Sequence, residues 1–237
     1  MISKVLVALL LIATSYTALA QEKVQKVARP DIPGSFLVDI GVNRGVSSAE
    51  NFEQGFWGSR TLNLYYQYPL RFGRSKFSFN PGVGVSMERF KLKNNYSLNP
   101  IPNTDGMYSL YNTDTVFSGV KKSMIAANYF EIPLEFRFDS KPEDIATSFN
   151  FAIGARAGLL FDGLTKVKYK EDGETKILKN KQNHGINPLR YGVYTRIGVG
   201  GFNLFFMYNL SPLFEKDKGP DKTTMSTFTT GISINGF

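Results

Sequence analysis

The fold is decided by residues 130–138, which read Phe-Glu-Ile-Pro-Leu-Glu-Phe-Arg-Phe. Successive side chains of a β-strand point to opposite faces, so this stretch has one wholly apolar face and one charged face. The same alternation returns in seven further segments: 36–42, 62–68, 77–87, 149–161, 191–199, 202–210 and 228–234. Repeated alternating segments of about 10 residues are typical of transmembrane β-barrels. We therefore predict an all-β fold, an eight-stranded antiparallel up-and-down transmembrane β-barrel with long extracellular loops.

The first 20 residues have the pattern of a secretion signal. Lys4 supplies a positive charge, residues 5–12 are apolar, and Ala18-Leu19-Ala20 fits a signal-peptidase site. We predict a signal peptide over 1–20, a periplasmic lead-in over 21–34 and the barrel over 35–237. No later stretch approaches 18 apolar residues, so helical membrane spans are excluded. The chain has no cysteine, which excludes disulfides and thiol chemistry.

The connections between the predicted strands alternate in length. Those after the second, fourth and sixth strands are short (71–75, 139–147 and 200–201), whereas the others are long and polar. Outer-membrane barrels have short periplasmic turns and long extracellular loops. The alternation therefore predicts the bacterial outer membrane, with several membrane crossings and both termini in the periplasm.

A soluble barrel of lipocalin type is the alternative fold, because the same alternation works with the apolar face turned inward. An eight-stranded barrel has room inside only for its own side chains or one small ligand. Here the apolar face carries Phe, Tyr, Leu and Ile, and the other face is rich in Gly, Ser and Asn. Small residues suit the interior, which favours the membrane barrel.

The polar face would then line the lumen and carry equal numbers of acids and arginines. The predicted network is structural and consists of Asp39, Glu88, Glu131, Glu135, Arg137, Arg156, Arg190 and Arg196. Arginine pairs well with carboxylates in a confined site, so we expect ion pairs that plug the barrel. An ion path or a proton-sensitive gate is the alternative. Pro133 and Pro81 lie inside predicted strands and lack a ladder donor, which predicts a local bulge.

Enzymatic activity has little support in the sequence. His184 is the single histidine and lies in a lysine-rich loop, where we expect a solvated surface residue. No motif indicates a catalytic site, a metal site or a cofactor. The formal net charge of +8 does not indicate nucleic-acid binding, since the basic residues form no single stripe in an exported chain.

Two long loops are the remaining candidates for function. Residues 165–182 carry six lysines and are predicted to form a hairpin that turns at Asp172-Gly173. The hairpin is either a solvated surface element or a contact site for lipopolysaccharide phosphates or a protein partner. Residues 94–123 hold enough apolar side chains to fold over the barrel mouth or to bind a ligand.

Three short motifs resemble the PorT-like outer-membrane β-barrels of the Bacteroidetes. They lie at 129–134 (Tyr-Phe-Glu-Ile-Pro-Leu), 80–84 (Asn-Pro-Gly-Val-Gly) and 208–210 (Tyr-Asn-Leu). The resemblance implies a small eight-stranded barrel inserted by the barrel-assembly machinery, and its namesake takes part in type IX protein secretion. Phe237 resembles the terminal aromatic residue used in barrel assembly, although it is out of phase with the last strand.

The expected function is that of a non-enzymatic outer-membrane barrel, a structural or accessory subunit linked to protein export. Its expected partners are outer-membrane lipid, lipopolysaccharide and a larger outer-membrane protein complex. Surface adhesion or ligand binding through the loops is the alternative, and a lipid A-modifying enzyme is a third hypothesis.

Overall fold

The structure, a computed structural model, describes residues 33–236, and the chain in this range is almost entirely β. The predicted signal peptide, nearly all of the predicted lead-in and Phe237 lie outside these residues. Three single 3₁₀ turns occur at Thr113–Thr115, Ile145–Thr147 and Pro220–Lys222. No described helix is long and apolar enough to cross a membrane. The strands are β1 (Ser35–Val46), β2 (Arg60–Gln67), β3 (Leu70–Arg71), β4 (Phe77–Leu92), β5 (Tyr96–Leu98), β6 (Leu110–Asn112), β7 (Lys122–Asp139), β8 (Phe149–Glu171), β9 (Glu174–Lys181), β10 (Leu189–Val199), β11 (Phe202–Asn209) and β12 (Ser226–Asn235).

Eight of these strands close into an antiparallel barrel. The ring runs β1, β2, β4, β7, β8, β10, β11, β12 and returns to β1, where Val38 pairs with Ile234. Strand β3 extends the β2 side against β4, β9 pairs with the far end of β8, and β5 and β6 form a separate two-stranded sheet. The predicted eight-stranded up-and-down barrel is confirmed.

The apolar face of the barrel points outward. Phe130 and Ile132 are 57% and 56% exposed. Glu131, between them, and Glu135, in the same phase further along the strand, are only 2% and 1% exposed. The other strands repeat this pattern, with aromatic and branched side chains outside and mainly polar side chains inside, although Leu37, Phe205 and Met207 also point inward. The lipocalin-type alternative is therefore excluded, because it requires the large apolar side chains inside. An outer wall of this composition matches a hydrocarbon environment rather than water.

The short turns and the two ends of the barrel chain meet at one end of the barrel. Gly200 donates its backbone N–H to the Ser148 oxygen (2.8 Å), and Asn235 donates to the Gly201 oxygen (2.7 Å). Gly236 donates to the Phe36 oxygen (3.2 Å). The long loops all emerge at the opposite end, as the alternation in length predicts.

The hairpin predicted in residues 165–182 is also present. Strands β8 and β9 pair from Leu164 with Lys181 to Glu171 with Glu174, and the turn is Asp172-Gly173. Both turn residues have positive φ, 52° and 81°, which is the backbone of the tight turns that favour Asp-Gly. The hairpin therefore extends the barrel wall beyond the body of the barrel.

The prediction of a bulge at Pro133 is wrong. The pairing of β4 with β7 has the same register on both sides of this residue, from Pro81 with Leu134 to Gly84 with Glu131, and is interrupted in between. On the other side, Pro133 pairs in register with Arg156. The gap in the β4–β7 ladder accommodates the missing donor of Pro133, whereas the backbone of Pro81 faces the β2 side, where its oxygen accepts from the Tyr68 N–H at 2.9 Å. The one register shift between β7 and β8 lies elsewhere, between Asn128 and Tyr129.

Candidate functional site in the lumen and the loop cap

The interior of the barrel holds a four-membered ion cluster, which we call the upper cluster (Glu88, Glu131, Arg156 and Arg190). Glu131 accepts from Arg156 Nη1 at 3.0 Å and from Arg190 Nε and Nη2 at 2.9 and 2.6 Å. Glu88 lies 2.9 Å from Arg190 and 3.7 Å from Arg156. All four side chains are at most 4% exposed. Two carboxylates and two guanidinium groups balance here.

Aromatic side chains and glycines position the upper cluster. The Tyr65 hydroxyl donates to Glu131, and the Arg190 guanidinium stacks on the Tyr129 ring at 3.9 Å from its centroid. Gly158 lies opposite Glu131, and a Cβ there would approach the Glu131 Cγ to 2.7 Å. The absence of a side chain at Gly158 is therefore what lets the Glu131 carboxylate cross the lumen.

A second group, the lower cluster (Asp39, Glu135 and Arg196), lies nearer to the short turns. Arg196 binds Asp39 at 2.9 Å and Glu135 through its other terminal nitrogen. Asn63 donates to Asp39 at 3.2 Å, and Asn80 donates to Glu135 at 3.3 Å. One guanidinium thus bridges β10 to both β1 and β7 across the interior.

The eighth predicted residue, Arg137, belongs to neither cluster. It binds Asp139 at 2.9 Å, and Asp139 also binds Arg71 at 3.2 Å. The sequence prediction omitted Asp139 and Arg71, although Asp139 continues the inward phase of Glu135 and Arg137 on β7. These groups line a vestibule of about 420 Å³ at the short-turn end. With them, the lumen network contains five carboxylates and five arginines.

The opposite end of the barrel is closed by a compact apolar core, which we call the cap. It is built from the upper ends of β4 and β7 and from all four long connections: Ala49, Phe52, Phe90, Leu92, Leu98, Ile125, Ala127, Tyr129, Ile186, Leu213, Phe214 and Met225. Phe52 and Phe214 meet edge to face at 5.9 Å. Tyr108 and Leu110 of the 94–123 loop pack against this core. The loops are therefore packed together over the mouth.

His184 lies inside the cap, so the prediction of a solvated surface residue is wrong. Its side chain is buried, and its ring lies edge-on to Tyr108 with 5.8 Å between centroids. Nδ1 is 2.7 Å from the Gln182 carbonyl oxygen and must donate, since a carbonyl only accepts. Burial lowers the pKa of His184. Among residues 33–236 it has no hydrogen bond to a carboxylate or a hydroxyl, so it forms no catalytic pair there.

Metal binding has no support in the part of the chain that the structure describes. No group of three or more histidine, cysteine, aspartate or glutamate side chains is arranged there to hold an ion. The acids of the lumen instead face arginines.

Comparison with known proteins identifies one family. Residues 29–215 match the family described as outer membrane protein beta-barrel domain. No curated protein matches the chain. Among solved structures, Ail, the attachment invasion locus protein of Yersinia pestis, is 14% identical with a TM-score of 0.36, covering 86% of this chain and all of Ail. Ail in complex with the heparin analogue sucrose octasulfate gives 15% and 0.35 over the same shares. A mutant porin of Rh. blastica gives 10% and 0.17, covering 86% of this chain and 98% of the porin.

Proposed function

Because this chain belongs to the outer membrane protein β-barrel domain family, we propose that it is a non-conducting, non-enzymatic outer-membrane barrel that serves as a structural or accessory subunit. Its long loops face the cell exterior and both termini lie in the periplasm. In this role the barrel holds a folded cap at the cell surface for a larger outer-membrane complex. The resemblance to PorT-like barrels makes a protein-export complex of type IX kind the first candidate.

One observation carries the proposal: the lumen is crossed by paired charges and closed again by the cap. The upper cluster leaves Glu131 in contact with two arginines and one tyrosine, and Phe52 and Phe214 pack above it. A conducting barrel needs a continuous aqueous path, and eight strands leave room for little beyond their own side chains. The working surface is therefore the cap and the outer wall.

Surface adhesion or ligand binding is the second candidate, and the β8–β9 hairpin favours it. Ile177 and Leu178 lie on β9 and are 50% and 46% exposed, on a segment that projects past the barrel. Exposed apolar side chains on a projecting element are typical of contact surfaces. A lipid A-modifying enzyme is disfavoured, because His184 is buried against the Tyr108 ring and has no hydrogen bond to an acid among the described residues.

Affinity purification of the tagged chain from outer membranes in mild detergent, followed by mass spectrometry, tests the accessory role. We expect a stoichiometric larger outer-membrane protein. An Ile177→Ser/Leu178→Ser variant separates the candidates, since it is expected to retain that partner if the complex forms elsewhere and to lose surface binding. Recovery of the barrel alone, with normal export in cells lacking it, would contradict the accessory role.

Two further measurements test the proposals that the barrel does not conduct and is not an enzyme. In planar bilayers, the purified barrel is expected to give no persistent conductance steps. The lipid A mass spectrum of cells lacking the chain is expected to match that of the parent. A reproducible open channel would contradict the plugged lumen, and a consistent mass difference in lipid A would contradict the non-enzymatic role.

A further inference from the structure

A cationic face lies above the apolar band on five neighbouring strands. The sequence spreads its members from residue 60 to residue 181, and the strand registers bring them to one side of the wall. They are Arg60 on β2, Arg89 and Lys91 on β4, Lys122 on β7, Lys166 and Lys168 on β8, and Lys179 and Lys181 on β9. Strand pairing in the barrel thus brings together a cationic face whose members are far apart in the sequence.

Like charges face each other directly across this surface. The ladder opposes Arg60 to Arg89, Lys122 to Lys168, and Lys166 to Lys179. Directly opposed like charges destabilise a sheet. Burial lowers the pKa of Lys122, and nearby Lys166, Lys91, Arg60 and Lys168 lower it further.

Little negative charge compensates this surface from within the chain. Among the described residues of these five strands, Asp162 is the one carboxylate in phase with the cations. It lies at the lower edge, where it accepts from Asn128 at 2.7 Å. The surface therefore favours an anionic ligand with more than one charge.

A groove of about 480 Å³ runs between the cations of β2, β4 and β7. It is lined by Trp57, Gly58, Arg60, Arg89, Lys91, Lys122 and Met124. Two hydrogen bonds fix its edge: Arg60 Nε donates to the Trp57 oxygen, and Gly55 N–H donates to the Lys91 oxygen, both at 2.9 Å. A side chain at Gly58 would collide with the stem of Lys91. This glycine therefore lets the lysine lie along the groove.

The position of the groove relative to the apolar band indicates which kind of anion it binds. Leu62 follows Arg60 on β2, and Met87 precedes Arg89 on β4, each two residues (roughly 6.6 Å) closer to the apolar band. Trp57 is 75% exposed and packs edge to face on Phe56 at 4.9 Å, and tryptophan is enriched at membrane–water interfaces. A ligand here must offer phosphates at headgroup level and acyl chains below them.

We propose that this groove is a binding site for the phosphate groups of an outer-leaflet glycolipid of lipid A type. Arg60 and Arg89 supply forked donors, and Lys91 and Lys122 supply point charges. Bound phosphates offset the repulsion between the opposed cations, while the acyl chains lie against Leu62 and Met87. The site rests on the proposed orientation, with the long loops outside, and is independent of any accessory role.

Trp57 is the single tryptophan of the chain, so its fluorescence reports the groove directly. The full mature chain is reconstituted in phosphatidylcholine nanodiscs with rising fractions of diphosphoryl lipid A or of fully dephosphorylated lipid A. We expect the emission of Trp57 to shift with the diphosphoryl form alone. Juxtamembrane basic residues contribute roughly 5-fold each, so Lys91→Gln/Lys122→Gln is expected to need about 25-fold more lipid A.

The matched control removes two exposed lysines at the other end of the barrel, Lys76→Gln/Lys141→Gln, and is expected to bind like the parent. Heat-modifiable gel mobility shows whether each variant is folded. In phosphatidylcholine alone, Lys91→Gln/Lys122→Gln is expected to resist heat at least as well as the parent, because the variant relieves repulsion. Greater heat resistance of the parent there would contradict that reasoning.

Three results would overturn the site. The first is an equal shift of Trp57 emission with both lipid A forms, and the second is equal lipid A binding by the groove variant and the control. The third is an equal shift with soluble inositol hexakisphosphate, which would indicate that the groove binds polyanions that carry no lipid. Protease treatment of intact cells tests orientation separately. Cleavage in the lysine-rich hairpin supports external loops, and protection of the hairpin would move the site away from the outer leaflet even if lipid A binds in nanodiscs.

Discussion

Replacing Glu131 by glutamine tests the lumen network most directly. The change removes the charge that accepts from Arg156 at 3.0 Å and from Arg190 at 2.6 and 2.9 Å. Glu88 then remains as the one carboxylate of the upper cluster facing two guanidinium groups that are at most 4% exposed. One positive charge is left buried without a partner.

The expected cost follows from that unpaired charge. Breaking a buried ion pair by removing one partner costs about 3–5 kcal/mol, so we expect Glu131→Gln to lower the free energy of unfolding by about 4 kcal/mol. The assay is urea unfolding of the barrel in lipid vesicles, read by gel mobility. Glu171→Gln is the matched control, because its partner Lys176 is exposed, and no measurable change is expected.

A double variant sharpens the test. Glu131→Gln/Arg190→Gln restores charge balance around Glu88 and is expected to be clearly more stable than the sum of the two single losses predicts. A loss below about 1 kcal/mol for Glu131→Gln would refute the view that these pairs hold the barrel together. Strict additivity of the two changes would refute their direct coupling.

Three other perturbations have defined outcomes. Arg196→Gln leaves Asp39 and Glu135 buried without their shared cation, so we expect the free energy of unfolding to fall by about 3 kcal/mol or more in the same assay. Arg196→Lys is expected to be intermediate. Equal stability of Arg196→Gln and the parent would contradict the bridge. Phe214→Ala opens a cavity in the core of the cap, and the stability of the cap is expected to fall by about 3–5 kcal/mol. The loops should then be proteolysed faster while the gel mobility of the barrel stays the same. Unchanged proteolysis would contradict a cooperative cap. His184 is held neutral by burial, so the unfolded cap binds more protons as pH falls below about 6.5, and the cap is expected to lose stability from there down through the lowered native pKa. Limited proteolysis at pH 7.5 and 5.5 checks this, and His184→Asn, which tolerates the positive φ of this residue, is expected to abolish the difference.

The period of two in the sequence was enough to predict which side chains enter the lumen, because strand geometry alone decides the face of each residue. Which acid pairs with which arginine inside the lumen could not be predicted from the sequence. Arg196 reaches Asp39, 157 residues away, because closure and stagger of the barrel bring β10 and β1 to the same depth. Arg137 pairs instead with Asp139, two residues along the same strand.

The two wrong predictions have a common cause in tertiary packing. His184 lies in a polar stretch, but Ile186, two residues further on, packs with Leu213 and Phe214 of another segment in one core above the barrel mouth, and the histidine is buried beside it. Pro133 indicates a defect in the ladder, but a single strand does not reveal that β4 keeps the same register with β7 on both sides of it. Both outcomes depend on which segments become neighbours, and local sequence does not encode that.

The length of β8 has a mechanical consequence. This one strand runs 23 residues from Phe149 to Glu171, so the hairpin tip lies about 40 Å from Leu159 along the strand at roughly 3.3 Å per residue. A force applied at the tip is carried along β8 to Arg156, deep in the lumen. Strand β7, which carries Glu131, is bonded to β8 over most of that path and shares the tension. Pulling on the hairpin therefore moves both partners of the ion pair together, and the barrel resists the load as one body.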